Sequence, residues 1–350
     1  MTRRLFGLVV CLMLTTGVPV RAQGERFGER TVALDTVVGI ADYFADAGKW
    51  QTQLVFDTSA SVEVAPGVQA SFRPLFWRMK DGTWKVYAPH VSVRYEFKKG
   101  SSWRIEVGRF PSPVGLGMTE NRPNLNPGLL WCHRPYYGYL PSFGEGMPPH
   151  ALVSANYPMG AQVNTSGDHW DARLAVVDRA PVDVWAAHEG TPRRANATLG
   201  AGLSPRQGIR VGVATSWGRS GDAASREPYR LVNIEGEYAV GYTKVTAEWT
   251  RDRFDTPAGD RVASGWTLQA KQTLTPRFFV HSRFSTVESP AAGAGETFEV
   301  RNNWSADNTI GYLIDPEITL RVGHAALKGW TADVVDHQIG ASIVWARRWW

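Results

Sequence analysis

Apolar and polar residues alternate with a period of two along most of this chain from Trp50 onward. Between His90 and Phe97, Val91, Val93, Tyr95 and Phe97 fall on one side, and His90, Ser92, Arg94 and Glu96 on the other. Ser102 to Phe110 repeats the pattern, with Trp103, Ile105 and Val107 opposed to Arg104 and Glu106. Further on, Val211 and Val213 oppose Arg210 and Gly212, and Val245, Ala247 and Trp249 oppose Lys244, Thr246 and Glu248. Trp266, Leu268 and Ala270 oppose Thr267, Gln269 and Lys271, while Phe278, Val280 and Phe284 oppose His281 and Arg283. A period of two is that of an extended strand whose two faces meet different surroundings.

Such runs cover residues 50–58, 66–78, 86–97, 102–110, 156–164, 169–178, 195–203, 208–217, 229–239, 242–252, 263–274, 277–287, 298–313, 317–327 and 335–347. Val32 to Tyr43 supplies one more, although Val37, Ile40, Ala41 and Phe44 also fit a short helix within 32–46. Short turns at Ser204–Gln207, Thr275–Pro276 and Asp315–Pro316 alternate with longer polar stretches at Gly218–Pro228, Asp255–Val262, Ser289–Glu296 and Lys328–Val334. Short connections at one end and long ones at the other mark an up-and-down antiparallel sheet.

Two all-β architectures share this pattern. A soluble sandwich turns the apolar face inward, whereas a transmembrane barrel turns it outward to lipid and keeps its lumen polar. Tryptophan decides between them: the chain has 15, and Trp77, Trp84, Trp103, Trp170, Trp217, Trp249 and Trp266 fall near expected strand ends. Amphipathic rings at both interfaces form the girdles of membrane barrels. The expected fold is therefore an antiparallel up-and-down transmembrane barrel of about 16 strands, bracketed by 14 and 18, wide enough for water.

The first 22 residues read as an export signal. Arg3 and Arg4 precede an apolar stretch from Leu5 to Val20, and Val20-Arg21-Ala22 offers a cleavage site. Two domains of sequence follow: the signal at 1–22 and an outer-membrane barrel over 23–350. Removing the signal takes away three arginines and no acid, so the net charge falls from +5 to +2. Nothing in that balance calls for a nucleic-acid partner. Cys132 then remains as a single cysteine, which excludes an intramolecular disulfide.

Phe110 to His150 breaks the rhythm. These 41 residues hold eight prolines and a dense set of aromatics, including Trp131, Tyr136, Tyr137, Tyr139 and Phe143. A loop this long inside a compact domain has a purpose or is disordered, and its aromatics argue against disorder. Folding inward to narrow the pore, closing as an outer lid and contacting a second protomer are the three readings. Arg122, His133, Arg134, Tyr136 and Tyr137 are its candidate constriction residues.

Two resemblances refine the picture. The alternating strand Gln338 to Trp345 and the terminal Trp349-Trp350 resemble the C-terminal assembly signal of bacterial outer-membrane proteins. Val107-Gly108-Arg109-Phe110 leading into Pro113-Val114-Gly115-Leu116 resembles the Gly-x-Phe…Pro-x-Gly-Leu junction of the phosphate-selective porin O and P family. That resemblance implies a sixteen-stranded barrel, a homotrimer and passage of anions across a Gram-negative outer membrane. The family gathers anions with basic arrays often rich in lysine. This chain has eight lysines, two of them (Lys98, Lys99) in a short-turn position, so a phosphate preference is not implied.

The expected function is passive diffusion of small hydrophilic solutes or ions through a porin in the outer membrane, with lipid outside and solute inside as partners. By parity, the pore lining comprises Arg94, Glu96, Arg104, Glu106, Arg210, Glu235, Lys244, Glu248, Lys271, Arg283 and Arg321. Basic and acidic residues occur in similar numbers, which leaves the sign of selectivity open. No Walker loop, Gly-x-Ser-x-Gly elbow or His-Glu-x-x-His helix occurs, and Cys132 and His133 are sequence neighbours that point oppositely in an extended chain. An enzyme, a cofactor and a metal site are not expected. The alternatives are a sealed outer-membrane barrel with an adhesive, structural or hydrolytic role, and a secreted β-sandwich that stacks carbohydrate on tryptophan.

Overall fold

The computed structural model describes residues 26–27, 30–45, 50–78, 82–97, 102–116, 122–129, 140–141, 150–153, 156–184, 194–220, 227–256, 259–292, 298–330 and 334–349. The export signal at 1–22 lies outside them, as do His133, Arg134, Tyr136, Tyr137 and the lysine pair Lys98–Lys99.

Among the described residues the chain is strand after strand, without an α-helix. A two-residue stub, β1 (Arg26–Phe27), pairs with β2 (Arg30–Ala45). Then follow β3 (Trp50–Ala65), β4 (Val68–Arg78), β5 (Trp84–Glu96), β6 (Arg104–Arg109), β7 (Met159–Ser166) and β8 (Trp170–Val177). The second half is β9 (Asn196–Arg206), β10 (Ile209–Ser220), β11 (Glu227–Val240), β12 (Thr243–Thr256) and β13 (Gly259–Thr273). It ends with β14 (Phe278–Ala292), β15 (Phe298–Leu313), β16 (Ile318–Lys328) and β17 (Val335–Arg348). Each strand from β2 to β17 pairs antiparallel with the next, and β17 returns to β2 from Gln338↔Ala45 to Arg348↔Asp35. Sixteen strands thus close into a barrel, as the alternation predicts. The Val32–Tyr43 segment takes its place as β2, because barrel closure gives it two neighbours and an isolated helix would have none.

Beyond the last strand the Trp349 amide donates to the Leu34 carbonyl at 2.8 Å, and its indole N–H donates to Thr36 Oγ1 at 3.1 Å. Trp349 therefore clips the seam.

The faces sort cleanly. Val213, Ile234, Trp249 and Trp266 are consecutive register partners on β10–β13, and each is at least 37% exposed. One residue along, Gly212, Glu235, Glu248 and Thr267 form the neighbouring row, where the two glutamates are 4% and 5% exposed. The apolar row faces outward and the polar row faces the interior, as in a membrane barrel rather than a sandwich.

Three expectations change. The strands at the long-loop end run further than the alternation suggests: β12 and β13 extend to Thr256 and from Gly259, leaving only residues 257–258 between them. Polar residues such as Arg251, Arg253 and Asp255 keep the ladder bonded after the apolar pattern stops, since backbone hydrogen bonding is indifferent to side-chain polarity. For the same reason Trp249 and Trp266 sit within strands rather than at their ends, and face each other across the β12–β13 pair. Trp77 departs from the outer set altogether, because its register partner Val55 is a buried inward residue.

The interior is not empty. Val114, Leu140, Leu152 and Val153 of the segment between β6 and β7, with Ala180 and Val182 after β8, pack on inward Tyr229, Leu231, Phe254, Ala263 and Val287 of β11–β14. Leu129 of the same segment packs on Val37, Ala41, Ala325, Leu327 and Val344 of β2, β16 and β17. The segment leaves the wall at β6 and touches walls on both sides of the seam, so it crosses the lumen.

Turns at the short end use glycine where the backbone needs positive φ. Gly67 and Gly208 have φ of 73° and 80°, and a Cβ on Gly208 would collide with the Ala239 carbonyl. We expect Gly208→Ala to cost more than about 1 kcal/mol, read as a lower guanidinium midpoint of the folded barrel in detergent. Gln207→Ala in the same turn should stay within about 0.5 kcal/mol. Equal midpoints for the two variants would contradict the turn geometry.

Candidate functional site

The inner wall carries its charges as pairs on adjacent strands, because antiparallel register places their Cβ atoms about 5 Å apart. On β5–β7, Glu106 is the hub. Its Oε1 accepts from Ser92 Oγ at 2.6 Å and lies 2.9 Å from His90 Nε2, while its Oε2 accepts from Gln162 Nε2 at 2.8 Å. Arg94 stands 3.8 Å from the same carboxylate and is partly open to solvent. Nearer the short turns, Glu96 and Arg104 are register partners and half-buried.

A second cluster lies on β8–β12. Arg210 donates from Nε and Nη2 to the two oxygens of Asp171 at 2.9 and 3.0 Å, and from Nη1 to Glu235 Oε1 at 2.5 Å. Three glycines make room for this arrangement. A Cβ on Gly200 would lie 2.8 Å from Arg173 Nε, and one on Gly202 would lie 2.6 Å from Arg210 Nη2. A Cβ on Gly212 would lie 2.9 Å from Glu235 Oε1. The glycines form a floor on which the long guanidinium side chains lie flat along the wall. Glu248, the register partner of Glu235, closes the cluster and is buried where Gly115 of the inserted segment passes. Lys244 pairs with Glu237 at 3.2 Å in a more open position, and Lys271 sits 4.5 Å above the Phe279 ring.

The third cluster holds the inserted segment. Arg321 donates from Nη1 to the Gly128 carbonyl at 3.1 Å and from Nη2 to the Pro123 carbonyl at 3.0 Å. Arg122 lies 3.6 Å from Asp57, which also accepts two bonds from Arg73 at 2.8 and 2.6 Å. Arg283 and Asp307 pair at 2.7 Å directly beneath, with His281 at 3.7 Å from Asp307. All are buried. Locally the segment turns on itself: Leu125 and Asn126 amides donate to the Arg122 carbonyl, and Asn126 Oδ1 accepts from the Gly128 amide at 3.1 Å. Arg283 and Arg321, expected to meet solvent, are instead covered by this segment.

Every expected wall residue lies on the inward face, and the structure adds Asp57, Arg73, Asp171, Arg173, His281 and Asp307 to them. The signal for Asp171 and Arg173 was present as alternation in Trp170-Asp171-Ala172-Arg173, and the spacing Gly200-x-Gly202 marked the floor. Asp57 and Asp307 carried no such mark, since each is a lone acid in a weakly alternating run. Opposite charges sit side by side on one wall rather than facing each other across the lumen. Among the described residues, no group of three or more His, Cys, Asp or Glu is placed to hold a metal ion.

A family model described as a Gram-negative porin matches residues 139–289, which run from the inserted segment into β14. No curated protein matches the chain. Among solved structures, an anion-selective porin from Comamonas acidovorans aligns over 91% of this chain and 100% of its own, with 11% identity and a TM-score of 0.64. The outer-membrane channel DcaP of Acinetobacter baumannii aligns over 93% and 99%, with 9% identity and a TM-score of 0.62. In-vitro folded OmpT of Vibrio cholerae in its trimer form covers 91% and 99%, with 9% identity and a TM-score of 0.60. At these identities the likeness is one of fold.

Removing Arg210 leaves Asp171 and Glu235 without their main counter-charge. We expect Arg210→Leu to lower stability by about 1.5–3 kcal/mol, and the double variant Arg210→Leu/Glu235→Leu to regain part of the loss. Guanidinium unfolding in a double-mutant cycle measures the coupling. Strict additivity would mean that the pair contributes nothing.

Proposed function

We propose that this chain is an outer-membrane porin that lets small hydrophilic solutes or ions diffuse passively through its lumen. One observation carries the reading: a closed barrel presents an apolar face outward and a wall of hydrogen-bonded ion pairs inward, crossed by one inserted segment. Closure satisfies backbone groups that lipid cannot satisfy, so the outer face tolerates hydrocarbon. The inner wall offers fixed charges in place of a solute's water, at little cost in either direction. Nothing in this mechanism requires catalysis.

Within the reading, the residues divide by role. Arg94, Arg210 and Lys244, with Glu237, retain solvent contact and line the route, and Glu96 and Arg104 sit toward the short-turn mouth. Glu106, Glu235 and Glu248 hold the neighbouring cations in place. Arg321 and the Asp57–Arg122 pair tether residues 122–129, which narrow the lumen. His133, Arg134, Tyr136 and Tyr137 belong to the same constricting segment. Residues 1–22 direct export, and copies of the barrel associate, as the trimer form of the Vibrio protein supports. The Val107–Leu116 junction supports a kinship with the phosphate-selective porins, without their lysine array.

The test is single-channel recording of the refolded chain, without residues 1–22, in a planar bilayer under a salt gradient. Stepwise currents are expected, with the reversal potential reporting the dominant charge. Arg210→Ala should move that potential toward cation preference and Glu235→Gln toward anion preference. Arg321→Ala, which unties residues 122–129, should raise unit conductance. A folded, inserted barrel that passes no current would overturn the porin reading in favour of a sealed one.

A further inference from the structure

Two of the chain's eight histidines meet on the outer wall. His324 of β16 and His337 of β17 lie outward by parity, since Arg321 and Val344 on the same strands face the lumen. They are diagonal neighbours across the ladder: His324 stands opposite Ile339, and His337 opposite Ala326. Their rings stack with centroids 5.3 Å apart, and His324 Nε2 lies 3.1 Å from His337 Nδ1. The other described histidines are elsewhere, with His90, His150 and His281 inside the barrel and His169 in the turn between β7 and β8.

The pair sits toward the long-loop rim of the apolar band. Trp345 marks the short-turn end of β17, where its indole N–H donates to Glu317. His337 is eight residues from Trp345, and His324 is six from Ile318, the register partner of Trp345. At about 3.3 Å per residue and a tilt of about 40°, these intervals place the imidazoles roughly 20 and 15 Å above that end of an apolar band about 25 Å tall. His337 is exposed and is the third residue of β17, within reach of water at the rim.

An imidazole facing hydrocarbon costs free energy, so two of them side by side at this depth call for a use. Hydrogen bonding between the rings satisfies one nitrogen of each. The same two nitrogens fit a metal ion. With metal–nitrogen bonds of about 2.0–2.1 Å, two nitrogens on one ion stand about 2.9 Å apart at a right angle and about 3.4 Å apart at the tetrahedral angle. The observed 3.1 Å falls between these limits. An ion can therefore take the place of the bridging proton with both strands where they are. The donor ring moves that proton to its other nitrogen, so none is lost. Two neutral nitrogen ligands select copper, nickel and zinc over magnesium and calcium, which prefer oxygen. Asp336, the sequence neighbour of His337, faces the lumen and accepts from Gln338, so it is no ligand here.

We propose that His324 and His337 form a two-imidazole site for a divalent transition metal on the outer wall, with water completing the coordination. The ion ties β16 to β17 beside the closing seam, so its binding stabilises the closed barrel. The site is separate from the lumen and is tested without passing a current.

The experiment uses the refolded chain without residues 1–22 and without a histidine tag, in chelator-free detergent. Heat-dependent gel mobility checks that each variant is folded. Cu2+ binding is followed by electron paramagnetic resonance, and Zn2+, Ni2+ and Mg2+ are compared by guanidinium unfolding. We expect the parent to bind Cu2+ with nitrogen hyperfine structure from two imidazoles. The dissociation constant should rise at least about tenfold in His324→Phe and in His337→Phe, and stay unchanged in His169→Phe. With free Zn2+ or Ni2+ at about a hundred times its dissociation constant, the folding equilibrium of the parent should shift by up to about a hundredfold, and Mg2+ should leave it where it is. Copper held equally well by both folded variants, or a parent spectrum with a single nitrogen, would overturn the site. The parent spectrum decides even where a variant fails to fold.

Discussion

The structure depends on the closure of one hydrogen-bond ladder, the return of β17 onto β2 across eleven register partners from Gln338 to Arg348. An open sheet of this length would present two edges of unpaired amides and carbonyls, which neither lipid nor an aggregation-prone surface tolerates. Closure removes both edges and at the same time creates an inside and an outside. Every other assignment of faces follows from it. Once the seam is set, the parity of each strand decides whether a given residue meets lipid or lumen.

Inside, the wall must carry charge without isolating it. Antiparallel register solves this locally by placing an acid beside a base on the neighbouring strand, as with Glu106 and Arg94 or Glu235 and Arg210. The glycines at 200, 202 and 212 have a second effect. By removing side chains from the wall, they let Arg173 and Arg210 lie along it instead of projecting into the lumen. Lumen width on that side is thus a consequence of small residues as much as of strand number. On the β14–β16 side the same kind of charges serve differently. Arg321 spends its donors on the carbonyls of Pro123 and Gly128 and is lost to solvent.

The inserted segment links these two uses. Its apolar residues find cover on Tyr229, Leu231 and Phe254, inward-facing positions where alternation would have placed polar groups. A wall that was polar throughout could not hold such a segment. The apolar patch near the outer end of β11–β14 and the bonds from Arg321 at the other side fix it at two places, so the lumen is shaped by a crossing strut rather than by a flap at the rim.

The alternation of residue types by itself determined the antiparallel all-β class, a count of about sixteen strands and which residues of a strand share a face, while the placement of tryptophan was needed to turn the apolar face outward. Those properties are periodic, and periodicity is local: Val91, Val93 and Tyr95 share a face whatever else the chain does. The sequence also marked residues 110–150 as exceptional through proline and aromatic content. It did not decide where that segment goes, which of Arg94, Arg283 and Arg321 remain open to water, or that Asp57 and Asp307 join the wall clusters. Strand ends were misjudged for a related reason, since the ladder continues through polar residues once a neighbour is in place. These matters depend on contacts between positions far apart in the chain, such as Arg321 with Gly128, and only the closed barrel brings them together.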